Sequence, residues 1–327
     1  MKTLVTGASG FIGSAIVRRL LGDGRDVRVL VRHGSATDNI DGLPVEITTG
    51  DLLDSASLAR AVRGCTALIH SAADYRIWVP DADRMHRVNV EGTRDLMLAA
   101  LEAGVRRIVH TSSVATLATA SARPSDETRP ASPEDLIGPY KLSKFRAEAE
   151  VRRLVRECGL PAVIVNPSTP MGPNDIKPTP TGRIVIEAAK GMPAFVGTGL
   201  NVVHVDDVAT GHLLALEKGR LGERYILGGD NMTLSDILAE IAALYGRRPP
   251  RICLPHAAVM PIAVGAEAWA RISGRDPFVT VDGLRMSRKL MFFSSDKAKR
   301  ELGYAPRPAR EAIHSAIADF RRRGLCR

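Results

Sequence analysis

The chain has 327 residues, 45% of them hydrophobic and 25% charged, a balance that excludes a disordered or fibrous polymer and leaves enough apolar chain for a large core. Lys and Arg outnumber Asp and Glu by 45 to 36, a formal charge of +9, which raises nucleic acid and anionic membrane as partners to be weighed against the motifs. Cys65, Cys158, Cys253 and Cys326 stand singly, as free thiols in a reducing cytoplasm do, and the first residues carry neither an apolar leader core nor a cleavage site, so no secretory leader is expected.

Short apolar runs rich in β-branched residues at 4–6, 27–31, 45–49, 67–70, 107–111 and 162–166 read as buried strands. Between them 12–21, 57–62, 85–103 and 140–157 carry helical spacing, the second of these preceded by Asp54 and Ser55 as caps. Strand alternating with helix predicts an α/β fold, a doubly wound parallel sheet covered on both faces. Residues 117–139 contain Pro124, Pro130, Pro133 and Pro139 among small and charged residues and read as a long surface loop of functional interest. Beyond Asn166 the rhythm changes. Five prolines crowd 167–180, and separate helical patterns follow at 234–245 and 309–323, so this part reads as a smaller, mixed α/β substrate region. The apolar stretch 257–272 is interrupted by Pro261, Gly265, Glu267 and Arg271 and is too short and polar to span a bilayer.

Gly7, Ser9, Gly10, Phe11, Ile12 and Gly13 form a GxxGxxG turn where the first strand hands over to the first helix. In that setting glycines permit the tight turn, bring backbone N–H groups to a pyrophosphate, and let helix and strand pack closely. The second strand ends in Arg32, followed by His33 and Ser35; a cation there suits the 2′-phosphate of NADP(H), where a carboxylate would suit the ribose hydroxyl of NAD(H). NADP(H) is therefore favoured with NAD(H) as the alternative, and Asp51 after the third strand serves the adenine edge. Tyr140 and Lys144 lie four residues apart on one helix face. A phenol with a pKa near ~10 needs a neighbouring cation to work as an acid or base near neutrality, and Lys144 is placed to supply it. Ser113 closes the fifth strand at the carboxyl edge where such sheets bind ligands, and its hydroxyl suits a substrate carbonyl beside the tyrosine. It sits in no Gly-x-Ser-x-Gly elbow, which argues against a serine hydrolase. His204, Asp206 and Asp207 have no further His or Cys at ligand spacing, so no metal site is expected. Tyr75 and Trp78, after the fourth strand, are candidates to line a substrate pocket.

Together with Asp51-Leu52, His70-Ser71-Ala72-Ala73, Asn89-Val90-Glu91-Gly92-Thr93, Asn166-Pro167, Gly172-Pro173 and His204-Val205-Asp206-Asp207, these residues resemble the extended short-chain dehydrogenase/reductases. Within that superfamily the chain is similar to the dihydroflavonol-4-reductase-like group and most of all to hopanoid-associated sugar epimerases, through residues 278–283 and 291–295. The resemblance implies a Rossmann-type dinucleotide-binding domain over 1–166, with part of 200–230 returning to it, and a mainly substrate-binding region over 167–327. It also implies that Ser113 orients the reacting oxygen, Tyr140 moves the proton, and Lys144 holds the nicotinamide ribose and lowers the tyrosine pKa. Leu52, Ala72, Ala73, Asn89 and Pro167 would line the cofactor site, and Met171 the substrate. A homodimer through the helices at 85–103 and 140–157 is implied as well.

The expected function is hydride transfer to or from a secondary alcohol or ketone of a sugar-like, polyol or alicyclic molecule, free or lipid-linked. Epimerisation through a transient ketone is the alternative, and a dinucleotide sensor without chemistry is the third. Arg32 departs from the acidic residue of many sugar epimerases. Of the excess charge, twelve cations against four anions fall in residues 285–327, so the enzyme body is nearly neutral. No nucleic-acid module accompanies that charge, and nucleic acid drops out as a partner. A cytoplasmic protein is expected; its basic C-terminal region, with Arg321, Arg322 and Arg323 and the apolar stretch 257–272 not far upstream, reads either as a solvated helix face with cations near its end or, for a membrane-lipid substrate, as a contact with anionic headgroups of the inner membrane face.

Overall fold

The computed structural model describes residues 1–79, 81–119 and 123–326. Its first half follows the alternating pattern: β1 (Lys2–Thr6), α1 (Phe11–Gly22), β2 (Asp26–Val31), β3 (Glu46–Thr49), α2 (Ser55–Val62), β4 (Ala67–His70), α3 (Ala82–His86), α4 (Gly92–Glu102), β5 (Arg107–Thr111), α5 (Gly138–Cys158) and β6 (Ala162–Pro167). The second half runs β7 (Thr169–Met171), α6 (Pro180–Gly191), β8 (Ala194–Val196), β9 (Gly199–His204), α7 (Val205–Lys218), β10 (Arg224–Leu227), β11 (Asp230–Thr233), α8 (Leu234–Leu244), β12 (Ile252–Leu254), α9 (His256–Ser273), α10 (Val281–Met286), β13 (Leu290–Met291), α11 (Asp296–Leu302) and α12 (Ala309–Arg322).

Seven strands form one parallel sheet in the order β10-β6-β5-β4-β1-β2-β3. The chain leaves β1 toward β2 on one side and returns to β4 on the other, so a crevice opens at the carboxyl ends of β1 and β4, where such sheets bind ligands. One core fills the face under α1 and α7, with Val5, Ile16, Val29, Ile69 and Tyr225 buried. The opposite face packs against α2, α4 and α5 through Leu4, Leu58, Leu68, Leu96 and Val151. Because α7 lies against α1 and β10 pairs with β6, residues 205–227 are part of this layer; α11 packs beside them. A smaller sheet, β11-β9-β13 with β7 beside β9, has its own core with α6, α8 and α12.

Three expectations from the sequence change on folding. The helix expected over 85–103 is broken into α3 and α4 by a π-turn over Arg87–Glu91, because Asn89 turns inward to bond other segments. The stretch 117–139, expected at the surface, is in part buried; 120–122 lie outside the described residues. Ser125 pairs with Phe293, and Glu127 drives its carboxylate onto the Ile226 N–H at 2.8 Å. The terminal arginines are partly partnered. Arg322 and Arg323 both pair with buried Asp319, and Arg321 stacks on the Tyr245 ring at 4.0 Å.

Candidate active site

The glycine turn is built by close approach. Gly7 has φ +72°, and a Cβ there would stand 2.7 Å from the Ala72 nitrogen. A Cβ on Gly13 would lie 2.0 Å from the Gly7 carbonyl oxygen, so only glycine lets α1 start this near β1. Gly10 caps α1 with no side-chain bond, which leaves the first helical N–H groups, including those of Phe11 and Ile12, facing outward from the helix end as an anion cradle. Ser9 is tied by its carbonyl to Asn39, whose amide also reaches the Asn174 carbonyl, both at 3.2 Å.

A cavity of about 680 Å³ lies beyond the ends of β2 and β3, lined by Arg32, Ser35, Asp51, Arg60, Arg84 and Lys177. Four cations against the carboxylates of Asp51 and Asp54 leave the cavity net positive. Arg60, Arg84 and Lys177 escaped the sequence reading because they reach it from three separated segments. Leu52 is buried, its Cβ 2.8 Å from where a Gly92 side chain would begin, so it fixes the neighbouring backbone rather than opening to the cavity.

A second group of polar side chains runs from the glycine turn to α5. The Thr6 hydroxyl accepts the Ala72 N–H and donates to His70 Nδ1 at 2.7 Å. His70 Nε2 then donates to Thr93 (2.9 Å), whose hydroxyl donates to the Asn89 carbonyl (2.7 Å). The Asn89 amide donates to the Asp74 carbonyl at 2.8 Å and to the Ser143 hydroxyl at 2.9 Å, and its oxygen takes the Asp74 N–H. Asn89 thus latches the loop of Ala72 and Ala73 onto the helix bearing Tyr140 and Lys144. Burial holds His70 neutral, its pKa pushed down to about 3.

Ser113, Tyr140 and Lys144 converge at the carboxyl end of β5. Ser113 leaves the strand in extended conformation, its hydroxyl accepting the Ala115 N–H at 3.1 Å and standing near enough to the Tyr140 phenol to favour its ionised form. Desolvation raises the Tyr140 pKa above that of an ordinary phenol, and the nearby Ser113 hydroxyl offsets part of the rise. Lys144, 5% exposed, donates from Nζ to the Thr111 carbonyl at 2.7 Å. Burial lowers its pKa to about 8 against a pull upward from Glu148. The expected direct lowering of the tyrosine pKa by Lys144 is not what this geometry gives. With the ammonium turned to Thr111, the groups acting on Tyr140 are its desolvation and Ser113.

The residue that the sequence reading missed is Glu148, on the same face of α5 as Tyr140 and Lys144 one turn further on. It is 3% exposed and pairs with Arg224 at 3.0 Å. Its other oxygen accepts from Ser112 at 2.5 Å, from Thr116 at 2.9 Å and from the Asn166 amide at 2.9 Å. Asn166 also donates to the Ser113 carbonyl at 3.0 Å. The strand end carrying Ser113 is therefore bolted to α5 through a buried carboxylate. A third carboxyl or hydroxyl at the spacing Tyr140, Lys144, Glu148 was the available signal.

Of the substrate candidates, Tyr75 is 46% exposed and Trp78 half-buried on the loop after β4. Met171 is a correction: at 3% exposure its side chain belongs to the core between the smaller sheet and α6, because β7 is held inside by β9. Pro167 ends β6, buried beside β10. His204 bonds Ser315 at 3.0 Å and lies 3.1 Å from Arg307, a structural setting; among the described residues no cluster of metal-ligating groups occurs.

Comparison with known proteins fits this geometry. Residues 3–228 match the family described as NAD dependent epimerase/dehydratase family. A Synechocystis sp. protein provisionally named a dihydroflavonol 4-reductase is 42% identical over 98% of this chain and 94% of its own. Sterol demethylase protein B of Methylococcus capsulatus is 38% identical, covering 99% of this chain and all (100%) of that protein. The crystal structure of gox2253 superposes with a TM-score of 0.89 at 57% identity, over 99% of both chains. The glycine cradle and the switch-point crevice suit a dinucleotide, and the chain belongs to the NAD-dependent epimerase/dehydratase family of extended short-chain dehydrogenase/reductases, as a dihydroflavonol-reductase-like, NAD(P)-dependent enzyme.

Proposed function

We propose that the protein is an NADP(H)-using ketone reductase or secondary-alcohol dehydrogenase acting on an alicyclic, largely apolar molecule such as a polycyclic lipid. The observation that carries the chemistry is the convergence of Ser113, Tyr140 and Lys144 at the carboxyl end of β5, with Ser113 acting on the tyrosine phenol and Lys144 one turn away. The first turn of α1 would hold the pyrophosphate, Arg32 with Arg60 the 2′-phosphate, and Lys144 the nicotinamide ribose. When bound, the nicotinamide supplies or accepts the hydride at the carbon bearing the oxygen. The chain does the rest. Ser113 holds that oxygen by its hydroxyl, and Tyr140 gives it a proton on reduction or removes one on oxidation. Ser113 steadies the phenolate left after transfer, and Lys144, its pKa lowered by burial to about 8, keeps the charge with which it would hold the ribose.

Two points favour reduction over sugar epimerisation. The four cations facing the adenosine end suit an exchangeable phosphorylated dinucleotide, and an epimerase has no need to exchange its cofactor. Similar proteins with reductase names support the same side, among them a Stigmatella aurantiaca ketoreductase of a farnesylated quinoline oxide, 32% identical over 94% of this chain. The name of the Methylococcus relative supports a sterol-like ring system, and a hopanoid would present the same chemistry. The test is NADPH oxidation against a panel of alicyclic and polycyclic ketones, followed by Tyr140→Phe on the best substrate. A loss of about 10²–10⁴-fold in kcat with cofactor affinity retained is expected. Near-normal turnover by Tyr140→Phe would sink the assignment, and an inverted stereocentre without net NADPH oxidation would establish epimerisation instead.

A further inference from the structure

We infer that α9, with the loop that follows it, is a docking face for an anionic lipid bilayer. Of the fourteen large hydrophobic residues that stand exposed among the described residues, six fall between Ile252 and Phe278: Ile252, Ile262, Val264, Trp269, Ile272 and Phe278. Trp269 is 66% exposed, Ile272 80% and Phe278 84%. Single apolar residues at a surface are ordinary; a contiguous set is not.

The helix itself explains the clustering. Its inner face is a narrow strip of small residues, Ala263, Ala266 and Ala270, which bury themselves against the body. The outer half-cylinder carries Ala258, Pro261, Ile262, Gly265, Trp269 and Ile272, with a single charge, Arg271, at its edge. A helix apolar on both faces belongs inside a protein or against lipid, and here one face has nothing over it.

Charge selects the occupant. Arg271, Arg275 and Arg288 are exposed and have no carboxylate within ion-pair distance among the described residues, and Arg285 touches only its helical neighbour Asp282 at 3.6 Å. The one carboxylate of the loop, Asp276, is exposed but neutralised by Arg183 of α6 at 3.3 Å. An indole, two further apolar side chains and arginines within ten residues is the composition of a segment lying in a headgroup layer, the rings and stems among the acyl ends and the guanidinium groups at the phosphates. The C-terminal arginines, partnered as they are by Asp319 and Tyr245, make no such face.

The position gives the contact a use. Glu267 accepts the Val281 N–H at 2.7 Å, joining α9 to α10, and the Asp282 carboxylate of α10 lies against Gly138, two residues before Tyr140. The apolar face and the proton-transferring tyrosine are therefore borne by neighbouring elements, so a bilayer under α9 sits beside the crevice. Docking needs no substrate or turnover and stands or falls separately from the proposed reaction.

Co-flotation of the full chain with phosphatidylglycerol–phosphatidylcholine vesicles and with phosphatidylcholine vesicles alone, at low and at physiological ionic strength, tests it. The protein is expected to float with the anionic vesicles, less so in salt. Arg271→Glu with Arg275→Glu should weaken binding about tenfold or more, and Trp269→Ser with Ile272→Ser and Phe278→Ser should abolish it. The equally charged pair Arg300→Glu with Arg310→Glu, exposed cations elsewhere, should bind nearly as wild type. Melting temperature and NADPH titration report that each variant is folded. Three results overturn the inference: no flotation at low salt, loss shared equally by the control pair, or concentration-dependent self-association that the serine variant abolishes, which would make the face a contact between copies.

Discussion

Glu148→Gln is the substitution that separates the buried scaffold from the chemistry built on it. The change keeps the shape of the side chain and removes its charge. Arg224, itself only 7% exposed, then loses its carboxylate partner at 3.0 Å and keeps the Glu127 carbonyl. Breaking a buried ion pair from one side costs about 3–5 kcal/mol, since the remaining charge is uncompensated. The hydroxyl of Ser112 and the amide of Asn166 retain a neutral oxygen to bond, so their contribution falls by roughly 1 kcal/mol each at most. At ~2 cal/mol/K per residue, a chain of 327 residues has an unfolding entropy near ~0.7 kcal/mol/K, and the melting temperature should drop by about 4–10 °C.

A structural defect alone would stop there. Glu148 also raises the pKa of Lys144, so its loss must move that ammonium further down from about 8, and NADPH affinity should begin to fall at lower pH than in the wild type. Thermal melts and NADPH fluorescence titrations from pH 6 upward (values of about 6 to 10 bracket the change) check both. A variant with unchanged melting temperature, or one whose affinity profile keeps its alkaline limb, would refute the reasoning. Glu148→Asp should restore part of the limb, because charge is what acts on Lys144.

Gly13→Ala places a Cβ 2.0 Å from the Gly7 carbonyl, which the turn can relieve only by moving; NADPH affinity should fall at least about tenfold with a stability loss of ~1–3 kcal/mol, and wild-type affinity by titration would refute it. Mild acid should destabilise the fold through its buried histidines. Burial holds His70 at about 3, His212 at about 4, and His110 and His204 below 6.5, so only the unfolded chain takes up these protons as pH falls below ~6.5; stability should drop by up to ~1.4 kcal/mol per histidine per pH unit between pH ~6 and ~5, offset by about one such contribution from Asp175, which burial raises to about 6 and which takes up its proton in the folded chain. His110, whose ring nitrogens find no partner among the described residues, offers the check: His110→Leu should reduce the slope of denaturation midpoint against pH by about a third, and an unchanged slope would contradict the assignment.

What could be read in advance was what is encoded locally. A strand, a turn and a helix need only neighbouring residues, so the glycine cradle, the parallel alternation and the Tyr140–Lys144 face were all visible in short windows. The scaffold was not, because its partners are distant in sequence. Glu148 and Arg224 are 76 residues apart, and Asn89 reaches Ser143 across 54. Hydrophobic periodicity runs straight through Asn89, yet the bonds it makes to Asp74 and Ser143 reward a π-turn that the pattern cannot register. Charge counting misled in the same way. Residues 285–327 hold most of the excess charge, but folding spends Arg322 and Arg323 on Asp319, Arg307 on Asp207 and Lys297 on Glu223. The stretch 257–272 cannot span a bilayer, as no helix among the described residues can, and its sequence places it only as an apolar neighbour of the basic C-terminal region. Spanning was the wrong criterion. Its significance lies in which half of the helix stays uncovered, and that is decided only when the alanine strip has chosen the face that packs.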